Sequence, residues 1–386
     1  FLGISETRIS REGADMQEGL TGLRVVEFAH QIAGPYASKL LVDAGADVVK
    51  VEPPDGDSLR HAGDPGDAAP LFRFLNAGKR SVVGVPSDPH VAALVADADL
   101  VIQAYGLEAD TGPQLDVDAL RRAHPGLVVL SITPYGTAGP WAGRRATEFT
   151  LQAESGSLGL RGVMGQEPFQ AGGRIGEWAA GTFGAVAALA AVFHARAAGA
   201  GEHVDVSILE ASNLVFTNYS ETMNRLMNGG AGDPEHAFLR PTIETPSIEA
   251  TADGYVGFCT NTRQQFSDFL LLIERPELRD DEALAQVAGR LMRFEEWSEI
   301  LRSWLPKHAT AEIIEQASLL RIPVAPICNG ETVQQHEQLV ARGVFGPDAE
   351  GRGVRPRRPY RIDDADPPPP GPVPRLGEHT GSAAFG

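Results

Sequence analysis

Hydrophobic positions in the first part of the chain come in short bursts set between longer helical repeats. Arg24-Val25-Val26-Glu27-Phe28 is a burst rich in β-branched residues; Gly34-Pro35 punctuates, and Tyr36 to Ala44 carries apolar residues three and four apart. Gly45 stops that helix, and Asp47-Val48-Val49-Lys50-Val51 opens the next burst. The pattern predicts strand, helix, strand. Ser81-Val82-Val83-Gly84-Val85, Leu100-Val101-Ile102 and the run from Leu127 to Ile132 predict further buried strands, with a helix over Pro89 to Ala96. Alternation of such strands with amphipathic helices predicts a mainly parallel sheet covered on both faces. A helix from about Glu177 to Arg196 ends near Gly199, and Glu202 to Ser207 leads into another helix. The opening βαβ unit leaves a polar loop at the carboxyl end of its first strand, where open α/β sheets bind ligands. The run from Gly22 to Asp57 lacks G-x-G-x-x-G, which disfavours an ordinary dinucleotide site.

The pattern changes from about Thr222. Gly229-Gly230-Ala231-Gly232 and Asp233-Pro234 read as a flexible connection. Gly254 to Phe258 then predicts a strand, followed by helices around Gln264–Ile273, Phe294–Trp304 and Ala311–Leu320. The expected organisation is a disordered or non-native extension over residues 1–15, then the N-terminal part of a large domain over 16–221. A smaller α/β domain over 222–321 and a segment over 322–386 returning to the large domain complete it. The tetraproline run Pro367 to Pro370 reads as a stiff connector.

Composition narrows the function. A chain of 386 residues with a net charge of −18 is large enough for more than one domain and ill-suited to nucleic acid, which needs a basic face. No apolar stretch reads as a membrane span, and Ala179 to Phe193 reads as a buried helix. Cys259 and Cys328 are far apart, and with no secretory signal in Phe1 to Asp15 this predicts a reducing, cytoplasmic setting. The ten histidines lack ligand spacing, so no metal is implied, and His194, His203 and His379 read as structural.

Several runs together resemble one family. Gly22-Leu23-Arg24-Val25-Val26-Glu27, Ala33-Gly34-Pro35-Tyr36-Ala37, Gly45-Ala46-Asp47-Val48, Lys50-Val51-Glu52-Pro53-Pro54 and Gly56-Asp57 occur in the order found in the class III CoA transferases. Asn76 to Ser81, Tyr135-Gly136, Gly201 to Ser207 and the ending Arg375 to Thr380 extend the resemblance along nearly the whole chain after Met16. It implies a Rossmann-like large domain built from both termini, a smaller domain between, and a homodimer of interlocked rings. It also implies transfer of CoA from an acyl-CoA thioester to a carboxylic acid, with CoA as substrate and no tightly bound cofactor.

Glu177, in Gly172-Gly173-Arg174-Ile175-Gly176-Glu177-Trp178, has two readings from the residues alone: a cap that complements the dipole of the helix it opens, or a carboxylate aimed at a ligand. By resemblance the position is that of the family's catalytic aspartate, a nucleophile that forms a mixed anhydride and then an enzyme–CoA thioester. Glutamate replaces aspartate here. The extra methylene moves the oxygen by roughly 1–1.5 Å, a displacement able to cost on the order of 10²-fold in rate. Glu148 matches an acidic position of the family and reads equally as a helix-start carboxylate. Thr147 stands where the racemase branch has a histidine base, and a hydroxyl is no base near neutral pH, which counts against racemisation.

For CoA itself the resemblance points to Arg60, Asn76, Lys79 and Arg145, and to Gln31, Ile32 and Ala33 in the loop after the first strand. Cations at such loops suit CoA phosphates, and a solvated surface charge is the plain alternative for each. The family's Glu-Asn-Phe-Arg run reads Gln103-Ala104-Tyr105-Gly106 here, keeping in Tyr105 a ring able to stack on adenine while losing the Asn and Arg contacts. Gly156 to Gly165, with Met164, reads as a loop over the acyl group or a surface loop, and Phe149, Leu158, Trp178 and Phe183 as acyl contacts or core. The alternatives to transfer are an acyl-CoA isomerase, racemase or lyase using Glu177 as base, and a non-catalytic CoA-binding subunit of a hetero-oligomer.

Overall fold

The computed structural model describes residues 19–62, 69–107, 115–158, 167–216, 245–260, 262–363 and 365–385. Two compact units emerge, the first containing both ends of the described chain and the second residues 245–343. The connection around Gly229, the extension over residues 1–15 and most of the Gly156 to Gly165 loop lie outside the described residues.

The first unit runs β1 (Arg24–Ala29), α1 (Ala33–Val42), β2 (Asp47–Glu52), α2 (Pro70–Asn76), β3 (Arg80–Val83), α3 (Pro89–Asp97), β4 (Leu100–Ala104), α4 (Val117–Ala123), β5 (Val128–Thr133), α5 (Glu148–Glu154), α6 (Ile175–Ala198), β6 (His203–Ser207) and α7 (Ile208–Phe216). Its six strands lie in the order β3-β2-β1-β4-β5-β6, all parallel. The strand order reverses between β1 and β4, and the loops at that reversal carry Gln31 to Ala33 on one side and Tyr105-Gly106 on the other. Open sheets of this kind bind ligands at such a crossover. One face of the sheet buries Val25, Ala29, Ile102 and Leu130 against α1 and α6, and the other buries Val26, Phe28, Val49 and Val129 against α3. β6 is an addition to the pattern, where residues 202–207 had been only a lead-in to a helix. It is a half-exposed edge strand, so His203-Val204-Asp205-Val206 alternates instead of running apolar.

Helix α6 corrects the membrane expectation in one respect: its 24 residues are long and apolar enough to cross a bilayer by length and composition. In the fold its small residues let it approach its neighbours closely. A Cβ on Gly181 would stand 2.6 Å from the Ala33 carbonyl oxygen of α1, and one on Gly184 would stand 2.9 Å from Ile132 of β5. Both distances are well inside normal contact, so α6 lies against α1 and the sheet only because those positions lack side chains.

The second unit contains β7 (Ile248–Ala250), β8 (Tyr255–Phe258), α8 (Arg263–Leu272), α9 (Val287–Met292), α10 (Phe294–Trp304), α11 (Thr310–Leu319), β9 (Val324–Pro326) and α12 (Glu337–Ala341). β7, β8 and β9 form an antiparallel sheet, and Phe258, Phe266, Phe269 and Trp297 fill the core beside it. Because β9 pairs with β8, this unit continues to residue 343, and the boundary expected after 321 moves there. The return is made by the antiparallel pair β10 (Phe345–Pro347) and β11 (Val354–Pro356).

The final described residues close the first unit. The Ser81 amide of β3 donates to His379 Nδ1 at 3.2 Å, the His379 amide to the Ser81 carbonyl at 2.9 Å, and the Val83 amide to Thr380 Oγ1 at 3.0 Å. The motif Arg375 to Thr380 thereby covers the exposed edge of β3, which is the structural role expected of His379.

Candidate active site

Glu177 sits in the first turn of α6 and is 1% exposed. Two groups fix its carboxylate. Arg174 donates to it through Nε and pairs with it through Nη2, and the Ile32 amide donates to it. Arg174 adopts the left-handed conformation (φ 56°, ψ 45°) and also donates to Gln31 Oε1. Gln31 is left-handed too (φ 63°), and its side chain lies against Gly106, where a Cβ would stand 2.9 Å from Gln31 Cδ. The loops after β1 and β4 and the start of α6 thus meet at Glu177. Burial raises the Glu177 pKa above its ordinary value, Arg174 opposes that rise, and the nearby Glu148 carboxylate adds to it.

Glu148 is also buried, at the start of α5, where Thr147 and Thr150 form a reciprocal capping box. Its Oε1 accepts from the Gly176 amide at 2.8 Å and from Gln152 Nε2 at 2.9 Å. It therefore ties the N-terminus of α6, and with it Glu177, to α5. Gly176 is required at this joint: a Cβ there would lie 2.7 Å from Ser212 Oγ and 3.2 Å from both Glu148 oxygens. Thr147, the position compared with a racemase histidine, is a helix cap. Trp178 packs edge-on against Tyr36 at 4.6 Å, whereas Phe149 and Phe183 are exposed.

Beneath the loop after β1 lies a buried charge network that takes in Arg60 and Lys79, two of the cations expected to contact CoA. Lys50 Nζ pairs with Glu27 Oε1 at 2.8 Å and Asp57 Oδ2 at 3.0 Å, and donates to the Ala29 carbonyl. Lys79 Nζ pairs with Glu27 Oε2 at 2.8 Å and donates to the Pro35 carbonyl and Asn76 Oδ1, each at 2.9 Å. Arg60 grips both oxygens of Glu52 at 2.7 Å, donates to the Pro374 carbonyl at 3.0 Å, and stacks on Phe72. Three carboxylates and three cations are enclosed together, and the carbonyls of Ala29 and Pro35 that they hold bracket Gln31 to Ala33. Burial alone would raise Glu27, yet Lys50 and Lys79 bring its pKa down to about 2. Burial outweighs Glu27 at Lys79 and lowers that ammonium to about 8.

Of the residues expected to touch CoA, the structure brings Ile32 to Glu177 and Gln31 to Arg174, while the Ala33 carbonyl lies against Gly181 of α6. Arg60, Asn76 and Lys79 lie in the interior network, and Lys79 holds the loop from below through the Pro35 carbonyl. Tyr105 packs with the core on the opposite face of the sheet, where burial pushes its phenol up to about 12, and Arg145 is exposed on the turn before α5. The sequence signal for the network was available: Glu27 and Lys50 are charges inside apolar strands, and parallel pairing puts them directly opposite each other. Arg174 was missed as well, although its place three residues before Glu177 sets the two side chains on one helical turn.

Comparison with known proteins supplies the context for this geometry. The family described as CoA-transferase family III matches residues 20–380. The succinate–glutarate CoA-transferase of Agrobacterium fabrum is 30% identical over 376 residues, covering 93% of this chain and 93% of that protein. The formyl-CoA:oxalate CoA-transferase of Streptomyces avermitilis is 28% identical over 401 residues, covering 96% of each. Among solved structures, a CAIB/BAIF family protein from Brucella suis superposes with a TM-score of 0.81 at 28% identity, covering 94% of this chain and 98% of that one.

Proposed function

The chain belongs to CoA-transferase family III, and from that membership we propose that it moves CoA from an acyl-CoA thioester to a carboxylic acid with Glu177 as nucleophile. The observation that carries the residue assignment is the buried Glu177 carboxylate, 1% exposed, held by a backbone amide and an arginine where the loops after β1 and β4 meet the start of α6. A carboxylate oxygen of Glu177 attacks the thioester carbonyl, the C–S bond breaks, and CoA leaves as thiolate with the bonding electrons. The product is a mixed anhydride. The thiolate then attacks the Glu177 acyl carbon and expels the donor carboxylate, leaving an enzyme–CoA thioester. The acceptor carboxylate repeats the sequence in reverse, regenerating Glu177. Each step exchanges one activated acyl group for another of similar energy, so the demand on the protein is alignment rather than acid–base power. Glu148, Gly176 and the Ile32 amide supply that alignment.

The relatives named above act on succinate, glutarate, formate and oxalate, which supports an acyl group or acceptor bearing a second carboxylate. The strand order supports the Rossmann-like reading of the first unit. A homodimer, expected from the resemblance, is supported by the apolar residues that α6 and α7 leave exposed: Phe183, Val186, Phe193, Leu214 and Val215. The proposed setting is cytoplasmic.

The decisive experiment is trapping. Incubation with acyl-CoA and hydroxylamine converts an activated Glu177 to its hydroxamate, which is read by intact mass and peptide mapping. An unmodified Glu177 across a panel of acyl-CoAs, or solvent deuterium entering the acyl α-carbon, would replace the nucleophile with the base mechanism or with a non-catalytic subunit.

A further inference from the structure

Arg174 does more than its position as the residue before α6 requires. It caps nothing with its side chain, and it occupies a left-handed conformation that glycine would adopt freely, directly after Gly172 and Gly173. Its Nε and Nη2 are given to Glu177 and Gln31, and its Nη1 donates to no group among the described residues. The side chain is 34% exposed, whereas the carboxylate it covers is 1% exposed, so an incoming ligand meets the guanidinium first. Lys50, Lys79 and Arg60 are committed to the interior network, which leaves Arg174 as the cation, among the described residues, that touches Glu177.

We propose that Arg174 is a specificity-determining residue that reads the distal carboxylate of a dicarboxylic acyl group, exchanging Glu177 for that carboxylate when the thioester binds. The inference rests on the CoA-transferase reading given above. A planar guanidinium pairs with a carboxylate through two parallel hydrogen bonds, and the second carboxyl of a four- or five-carbon diacid lies within its reach of the carbonyl under attack. The exchange also unmasks the nucleophile. With Arg174 on Glu177 the carboxylate is neutralised, and a substrate able to replace it releases Glu177 for attack. A monocarboxylic thioester offers Arg174 no such exchange.

The test compares thioesters of equal carbon number: succinyl-CoA with butyryl-CoA, and glutaryl-CoA with valeryl-CoA. Wild type, Arg174→Gln and Arg174→Lys are each measured for kcat/KM and for hydroxylamine trapping of Glu177. Wild type is expected to prefer the dicarboxylic member by on the order of 10–10²-fold. Arg174→Gln is expected to bring that ratio close to one, and Arg174→Lys to retain part of it. A wild-type ratio near one, or a ratio that Arg174→Gln leaves unchanged, overturns the assignment while trapping still upholds Glu177. Failure of all four thioesters to label Glu177 overturns both.

Discussion

Glu177 combines a short list of contacts with an unusual demand on its charge. In the proposed mechanism it reacts as a carboxylate, so the rate is expected to fall as pH drops through its pKa. Burial places that pKa above the ordinary 4.5, and Arg174 restrains the rise. The acid limb of kcat/KM is therefore expected above the usual carboxylate range, and Arg174→Gln is expected to move it higher still, as a pH–rate profile will record. Side-chain length is the second test. The Ile32 amide and Arg174 are set for a glutamate, so Glu177→Asp is expected to lower kcat on the order of 10–10²-fold even though aspartate is the residue of the resembling family. An aspartate variant as fast as wild type would show that the site tolerates both reaches.

At the scale of elements, two joints hold the site. The first is the crossing of α1 and α6 at Gly181. Gly181→Ala is expected to push the helices apart, lower stability by about 1–3 kcal/mol in denaturant titration, and reduce turnover by shifting Glu177 against Ile32. The second is the charge network between β1, β2 and α2. Removing one partner, as in Glu27→Gln, leaves Lys50 and Lys79 short of a countercharge in a closed interior, with an expected loss of about 3–5 kcal/mol. The pH consequence follows from the direction of the shift. Glu27 is depressed from 4.5 to about 2, so its contribution is complete above pH 4.5 and is lost as pH falls from there toward 2. Acid unfolding followed by circular dichroism is expected to steepen across that window in wild type and to flatten in Glu27→Gln.

These joints also mark where the sequence could and could not be read. Strands β1 to β5 and β8, with α3, α6 and α10, were legible because apolar periodicity and the glycines at 45 and 199 report local preference directly. The roles of Lys79 and Arg60 were not, since a lysine after a helix looks the same whether it points to solvent or to a glutamate 52 residues away. Arg174 was hidden for a related reason: its left-handed backbone and its grip on Gln31 depend on a loop 143 residues distant.

At the scale of the whole molecule, the C-terminal strap completes the sheet. Deleting residues 375–385 would strip β3 of its partners at Ser81 and Val83 and leave a flat edge open. The expected result is a lower Tm and concentration-dependent aggregation, measured by thermal melts and light scattering. The strap also has a consequence for synthesis. Roughly 300 residues separate Val83 from Thr380, and at about 5–20 residues per second a ribosome needs on the order of 15–60 s to deliver the strap after the strand has emerged. The nascent chain must carry an unsealed β edge through that interval, which makes this edge the natural place for a chaperone to wait.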